Sequence, residues 1–448
     1  MFNLHKARGS DCVTYSNCSH EKSIKDKLGL MNETSQTQKA HPATKQKRMG
    51  TMHTERFVGI DIHKRHVVVA AVDKQQKVLF SPKKISNQRF ASWAHNHLNP
   101  SDQVALEATS NSWAFHDQLE PMVKGVFVAN SYKLKLITAS SAKTDKHDAM
   151  VLAKLLAANL LPSVWVPPQH VRDLRNITQH RWQLIQVRTA AKNRLHGILH
   201  QHNIQIPTGS PFQSSSEEWW QNLAISPVEQ LQIKHYWLTI HHCNDLIQET
   251  EATIAQLSVS DDWSEEMTFL IQLPGIGLYT GMTILAAIGD IRRFPSPRKL
   301  SGYAGLGARV RATGNTVRTG KITKQGRKEL RTALIASAWV AVRFSDYWST
   351  RFQALAKSIG TNKAITAIAR KILVVIWHVL TKRQADRFAN GQAVARSLMG
   401  WCSLHHLASS QGLCRVDFVR QRLNQLGMLH KVSSFRANGR IYHLSASP

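Results

Sequence analysis

The sequence predicts an α/β part followed by an all-α part. Three observations carry this. Three β-type runs joined by turns of hairpin length lead into alternating helix and strand, and from about residue 166 the apolar spacing lengthens to the helical period. Further on, an LPGIG pentapeptide sits between apolar helical stretches, as the hairpin of a helix-hairpin-helix-like element would.

Residues 1–54 are polar, rich in Lys, Ser, Thr, Gln and His, without period 2 or 3.6, and read as a disordered basic tail. From Glu55 come RFVGID, HVVVAAVD and KVLFSPKK, joined by IHKR and KQQ. A helical stretch from Ser86 to Leu98, a strand QVALEA, a helix from Ser112 to Met122, a strand GVFVAN and a helix opening near Lys143 follow. Three antiparallel strands, then alternation, describe a mixed sheet with helices on its faces over residues 55–165, in the order of a ribonuclease-H-like fold.

Residues 166–265 are helical and long in period. Val171 to His202 carries apolar Leu174, Ile177, Trp182, Leu184, Val187, Leu195 and Ile198, with Arg181, Arg188, Lys192 and Arg194 on other faces. PTGSPFQSSSEE reads as a flexible link to a second helix, Val228 to Leu257, so the pair is expected to be an arm or dimerisation element. Residues 266–395 form a third, basic and helical region, and 396–448 show no clear architecture.

At 448 residues the chain has room for two or three domains. Lys and Arg number 58 against 29 Asp and Glu, a net charge of +29 that calls for a polyanionic partner, nucleic acid first. Five scattered cysteines suit a reducing, cytoplasmic compartment. The N-terminus lacks an apolar signal-like stretch, and the longest apolar runs, Ala333 to Val342 and Ile372 to Leu380, fall short of the about 20 residues of a membrane span. Neither secretion nor a membrane span is expected.

Asp61 interrupts an apolar strand, where a carboxylate is costly unless paired or bound to metal, and Glu107 ends a second such strand. Asp145 and Asp148 fall at i and i+3 at the start of a helix and so project from one face. Four carboxylates from two strands and one helix can hold a pair of divalent cations for in-line displacement at a phosphodiester, Mg²⁺ or Mn²⁺ rather than zinc. Taken singly, each acid also fits a turn, a solvated strand end or the positive end of a helix. Gly275 and Gly277 of LPGIG offer backbone amides to a phosphate. Between Ile291 and Arg331 stand twelve Lys or Arg and one acid, Glu329. Arg309, Arg311, Arg318, Lys321, Lys324, Arg327, Lys328 and Arg331 are accordingly expected on phosphates.

GIDIHK, LEATSNSW, KTDKHDA, LPGIG, GDIRRF, YAGL and RTGKITKQGRKELR, in that order, resemble the DEDD transposases of the IS110 family of bacterial insertion sequences, with pilin-inverting recombinases as relatives. The resemblance covers about residues 55–390. It implies a RuvC-like domain with Asp61, Glu107, Asp145 and Asp148 as metal ligands, a helical arm, and a C-terminal transposase domain supplying a serine nucleophile. It further implies a bridge RNA as guide and dimers, singly or as tetramers, acting on donor and target DNA. In this chain the serine position is Thr313, in a Gly-rich basic loop, with Thr316, Thr319 and Ser301 less well placed. A threonine hydroxyl can attack phosphorus, although its methyl crowds the approach.

The expected function is therefore a DNA transposase or site-specific recombinase. A RuvC-like endonuclease using water, and a decayed nucleic-acid-binding protein, are the alternatives. Cys402, His405, His406 and Cys414 match no common zinc spacing, and Trp219, Trp220 and Trp401 read as buried against helices rather than stacked on bases.

Overall fold

The computed structural model describes residues 55–137, 144–207, 209–314 and 316–444; the tail of residues 1–54 and Lys143 lie outside these. The chain divides into two compact units that part between Ser163 and Val164.

The first unit is built from β1 (Phe57–Ile62), β2 (His66–Val72), β3 (Val78–Ser86), α1 (Asn87–His97), β4 (Gln103–Glu107), α2 (Ser112–Leu119), β5 (Gly125–Ala129), α3 (Ser131–Ile137) and α4 (Asp145–Ala157), with β6 (Ser163–Val164) at the boundary. The sheet order is β3-β2-β1-β4-β5-β6. β1 runs antiparallel to β2 and parallel to β4, and β4 parallel to β5, so β1 is central and buried along its whole length. That explains its unbroken apolar run around one acid. Arg56 clamps the start of β1 to β4 with two bonds, 2.7 and 2.6 Å, to the fully buried Asp102 carboxylate. The Thr144 hydroxyl caps α4 by accepting from the His147 amide at 3.3 Å.

The second unit begins with α5 (Gln169–Gln201), α6 (Glu217–Gln221) and α7 (Pro227–Leu257). Ala191, Leu195 and Leu199 pack with Ile233, Trp237 and Ile240, whereas Val171 and Leu174 share a core with Ile254 and Ala255. The two long helices are therefore antiparallel. The segment between them is packed rather than flexible: Trp220 is 1% exposed and its indole donates to the Pro211 carbonyl at 2.6 Å. A capping box between Ser226 and Glu229 starts α7.

Then come α8 (Ser264–Ile271), α9 (Leu278–Ile288), α10 (Pro297–Tyr303), the hairpin β7 (Ala308–Thr313) and β8 (Thr316–Ile322), α11 (Lys328–Phe344), α12 (Asp346–Ile359) and α13 (Thr361–Lys382). The chain closes with α14 (Gly391–Ser403), α15 (Leu407–Ser410), α16 (Arg415–Gln425), β9 (Ser434–Ala437) and β10 (Arg440–His443). One core runs from Val171 to Leu444 through all these helices. The boundary expected at 395 thus falls inside α14, and residues 396–444 are ordered on that core through Trp401, Phe418 and Phe435. α13, longer than its apolar run in the sequence, has 22 residues and a mean hydropathy of 1.6, long and apolar enough to cross a membrane. Half of it is buried, with Ile365, Ile368, Ile372 and Ile376 in the core.

Candidate active site

Gly59 and Asp61 stand two apart on β1 and so share one face of the sheet. A Cβ at Gly59 would lie 2.0 Å from the Ala149 carbonyl oxygen and 2.5 Å from the Ala153 amide, so only glycine lets α4 rest directly on the strand. Asp145 lies one turn before Ala149 and Asp148 next to it, which brings the first turn of α4 toward Asp61. The register Ile60 to Leu106 between parallel β1 and β4 continues to place Asp61 level with Glu107.

Asp61 is 4% exposed. Burial pushes its carboxyl above the usual range; the His63 imidazole opposes this, and the nearby charges of Glu107 and Asp148 push it further up. His63 Nε2 reaches Asp61 Oδ2 at 3.0 Å and Asp145 Oδ2 at 3.2 Å, bridging strand and helix. Asp61 is thus joined to Asp145 through His63 and feels the charges of Glu107 and Asp148, and the ligand atoms of His63, His66 and Asp145 lie within 4.8 Å of one another. The structure adds two residues that spacing alone did not single out. His66 stacks on His63 with ring centroids 4.7 Å apart, and its Nε2, buried and without a hydrogen bond, is 3.6 Å from Asp145 Oδ2. The available signal for His63 was parity, since residues i and i+2 of a strand share a face.

In the second unit Thr313 closes β7 opposite Thr316, across a two-residue turn with Gly314 at φ +55. It is exposed at the tip of a hairpin rather than held in a loop. Ser301 is 6% exposed, within α10, and the Thr319 side chain lies outside the described residues. β7 is exposed on both faces, and the register sets Arg311 directly opposite Arg318, a like-charge pair that destabilises an isolated hairpin. Arg309, Arg311, Arg318, Lys321, Lys324 and Lys328 are exposed.

Arg327 and Arg331 instead turn inward. Arg327 Nε donates to the Tyr303 hydroxyl at 3.3 Å, and Arg331 Nη1 donates to the carbonyls of Ala304 at 3.3 Å and Lys324 at 3.4 Å. Burial raises the Tyr303 hydroxyl pKa, but Arg327, Arg293 and Arg175 outweigh it and draw it below the ordinary value. A Cβ at Gly326 would stand 2.0 Å from the Tyr303 carbonyl oxygen, so the two ends of the hairpin close tightly. Gly275 of LPGIG, at φ +83, serves packing: its Cβ position lies 2.2 Å from the Ser337 carbonyl oxygen of α11. Gly277, just before α9, is exposed.

Comparison with known proteins bears on both units. Residues 58–204 match the family model "Transposase" of the DEDD IS110 type, and residues 267–353 match "Transposase IS116/IS110/IS902 family". The chain is 24% identical over 352 residues to "Transposase for insertion sequence element IS1111A" of Coxiella burnetii, covering 76% of this chain and 94% of that protein. It is 27% identical over 352 residues to "Pilin gene-inverting protein" of Moraxella bovis, covering 73% and 96%.

Proposed function

Because the chain belongs to the IS110 family of transposases, an enzyme family acting on DNA, we propose that it cuts and rejoins DNA using a metal-bound DEDD site and the Thr313 hydroxyl. The observation that carries this reading is the buried Asp61 carboxylate, with Glu107 and Asp148 raising its pKa and Asp145 joined to it through His63. Such gathered negative charge suits a cation, and its hard oxygen donors suit Mg²⁺ or Mn²⁺. The sheet order, antiparallel over β3-β2-β1 and parallel from β1 to β5, supports a ribonuclease-H/RuvC-like assignment for residues 55–165. The turn between α8 and α9 supports a helix-hairpin-helix-like element, with the exposed Gly277 as its phosphate-facing residue.

When bound, the cations would activate the scissile phosphate and stabilise the departing oxygen. His63 holds the Asp61 and Asp145 carboxylates in mutual register. Attack by Thr313 Oγ1 forms a threonine–phosphate ester and releases a deoxyribose hydroxyl, which conserves the bond energy for rejoining. The exposed hairpin cations hold the strand, which also relieves the opposed Arg311 and Arg318. Exposed Trp182 and Val187 on α5 and Leu231 and Leu238 on α7 support residues 166–265 as an arm that joins copies into a homodimer or tetramer. The family likeness and the +29 charge support a bridge RNA as guide, with the protein acting at the nucleoid in the bacterial cytoplasm, off the membrane.

A denaturing gel of the protein with labelled element-end DNA, guide RNA and Mg²⁺ tests this. A covalent protein–DNA band is expected, kept by Thr313→Ser and abolished in Thr313→Ala. An adduct persisting in Thr313→Ala removes Thr313 from the mechanism. Threonine at the serine position favours one second reading, a nuclease using water, for which cleavage appears without any adduct.

A further inference from the structure

The chain beyond α13 has no role in the reaction proposed for this protein, and its elements run α14, α15, α16, then the β9–β10 hairpin. Four residues, Gln411 to Cys414, join α15 to α16. Gly412 takes φ +68, and the amides of Gly412 and Leu413 donate to the carbonyls of Ser409 and Ala408, the two bonds of a Schellman stop. Helix, glycine turn, helix is a helix–turn–helix connection. The hairpin behind it turns at Asn438 and Gly439, both at positive φ, 49 and 75, as a primed two-residue turn requires. The whole order is that of a winged helix–turn–helix.

Fold order alone does not assign a function, so the exposed side chains must carry it. Phe418, Val419 and Leu423 of α16 are buried, Phe418 edge-on to Trp401 of α14 at 5.2 Å. On the opposite face Gln421 and Asn424, an i, i+3 pair, are exposed, as are Arg436 and Arg440 on the wing. Arg420 Nε donates to the Leu444 carbonyl at 3.1 Å, and Gln392 Nε2 to the Ser434 carbonyl at 2.6 Å, so helix and wing are held as one body. The acid on the α16 surface, Asp417, is neutralised by Arg420. Gln and Asn are side chains that make bidentate contacts to the adenine edge.

We propose that residues 391–444 are a duplex-DNA-binding module, separate from the proposed catalytic residues. α16 enters the major groove with Gln421 and Asn424, one turn apart on its solvent face, toward the base edges, and Arg436 and Arg440 hold the backbone. B-form DNA has a major groove wide enough for a helix, whereas the deep, narrow major groove of A-form RNA does not admit one.

The test measures fluorescence anisotropy of the full chain on element-end and scrambled DNA duplexes, without divalent metal and across a salt series. Arg436→Ala with Arg440→Ala should weaken both duplexes on the order of tenfold and flatten the salt slope by about 0.9 for each phosphate no longer neutralised. Gln421→Ala with Asn424→Ala should instead cut the preference for the element end by about fivefold or more. All four side chains are exposed, so an unchanged melting curve verifies folding in each variant. Wild-type affinity and preference in both double variants overturn the proposal. An equal loss of binding to single-stranded RNA overturns it as well, and makes the surface an RNA contact.

Discussion

Gly59 carries no chemistry, yet the placement of the acids depends on it. With 2.0 Å between its Cβ position and the Ala149 carbonyl oxygen, a methyl group has to lift α4, and Asp145 and Asp148 with it. Gly59→Ala should cost about 1–3 kcal/mol of the sheet unit's stability, as overpacking does. DNA cleavage should fall about a hundredfold, because shifts near 1 Å cost that much in a preorganised site. Urea unfolding followed alongside cleavage checks both, and unchanged values would show that α4 adjusts freely. Asp61 makes a prediction about pH. Its folded-state pKa lies above the unfolded value, so between the two the folded protein binds more protons, and stability falls as pH rises through that window and stays lower above it. Asp61→Asn should remove this decline in metal-free protein; melting curves from pH 4 to 8 that keep the same slope would show that other groups cause it.

The β7–β8 hairpin shows what an element adds to its separate residues. The twelve cations are visible in the sequence as a charge run, but pairing decides which of them face solvent. Arg327 and Arg331 spend their donors on Tyr303 and on the carbonyls of Ala304 and Lys324, so they hold the hairpin base, while Arg309, Arg311, Arg318, Lys321, Lys324 and Lys328 stay exposed on and beside the hairpin. Neutralising Arg318, Lys321 and Lys324 together should flatten the slope of log affinity against log salt on duplex DNA by about 0.9 for each phosphate left without its cation. Arg327→Ala should instead lower the melting temperature, because its hydrogen bond to Tyr303 is removed. A salt slope that stays at its wild-type value in the triple variant would move the phosphate-binding role to another surface. The arm illustrates the same point: its serine-containing link looks flexible by composition, and Trp220 packs it between α5 and α7.

Across the whole molecule, each unit has its own core, one around Leu152 and Ala105 and the other around the helices of residues 164–444. Heating should therefore produce two transitions rather than one. If the acids hold Mg²⁺, adding it should raise the transition of the sheet unit alone by mass action, and EDTA should reverse the shift. Calorimetry with and without metal decides the matter: equal shifts of both transitions, or none, would count against a metal site in the first unit.

The longer strands and helices from Phe57 to Leu257 were legible in the sequence, because period 2 and period 3.6 are local signals that each segment carries by itself, whereas the short α3, β6 and α6 were not. The four candidate acids came from local signals too: Asp61 inside an apolar strand, Glu107 at the end of another, and Asp145 and Asp148 at i and i+3 of a helix start. Whatever depended on a distant neighbour was not legible. His63 looks like a turn residue and His66 like the start of a strand until α4 brings Asp145 to them, and only the packing of α11 shows why Gly275 has room for no side chain. Residues 396–444 hide their order because short helices and a four-residue hairpin strand give too little period to read, and their shape comes from packing on a core supplied by α7 to α13. Sequence alone determined the local elements, the charge and the candidate acids. Tertiary structure decided which groups meet, because contact between residues far apart in the chain depends on close packing, which one-dimensional spacing does not contain.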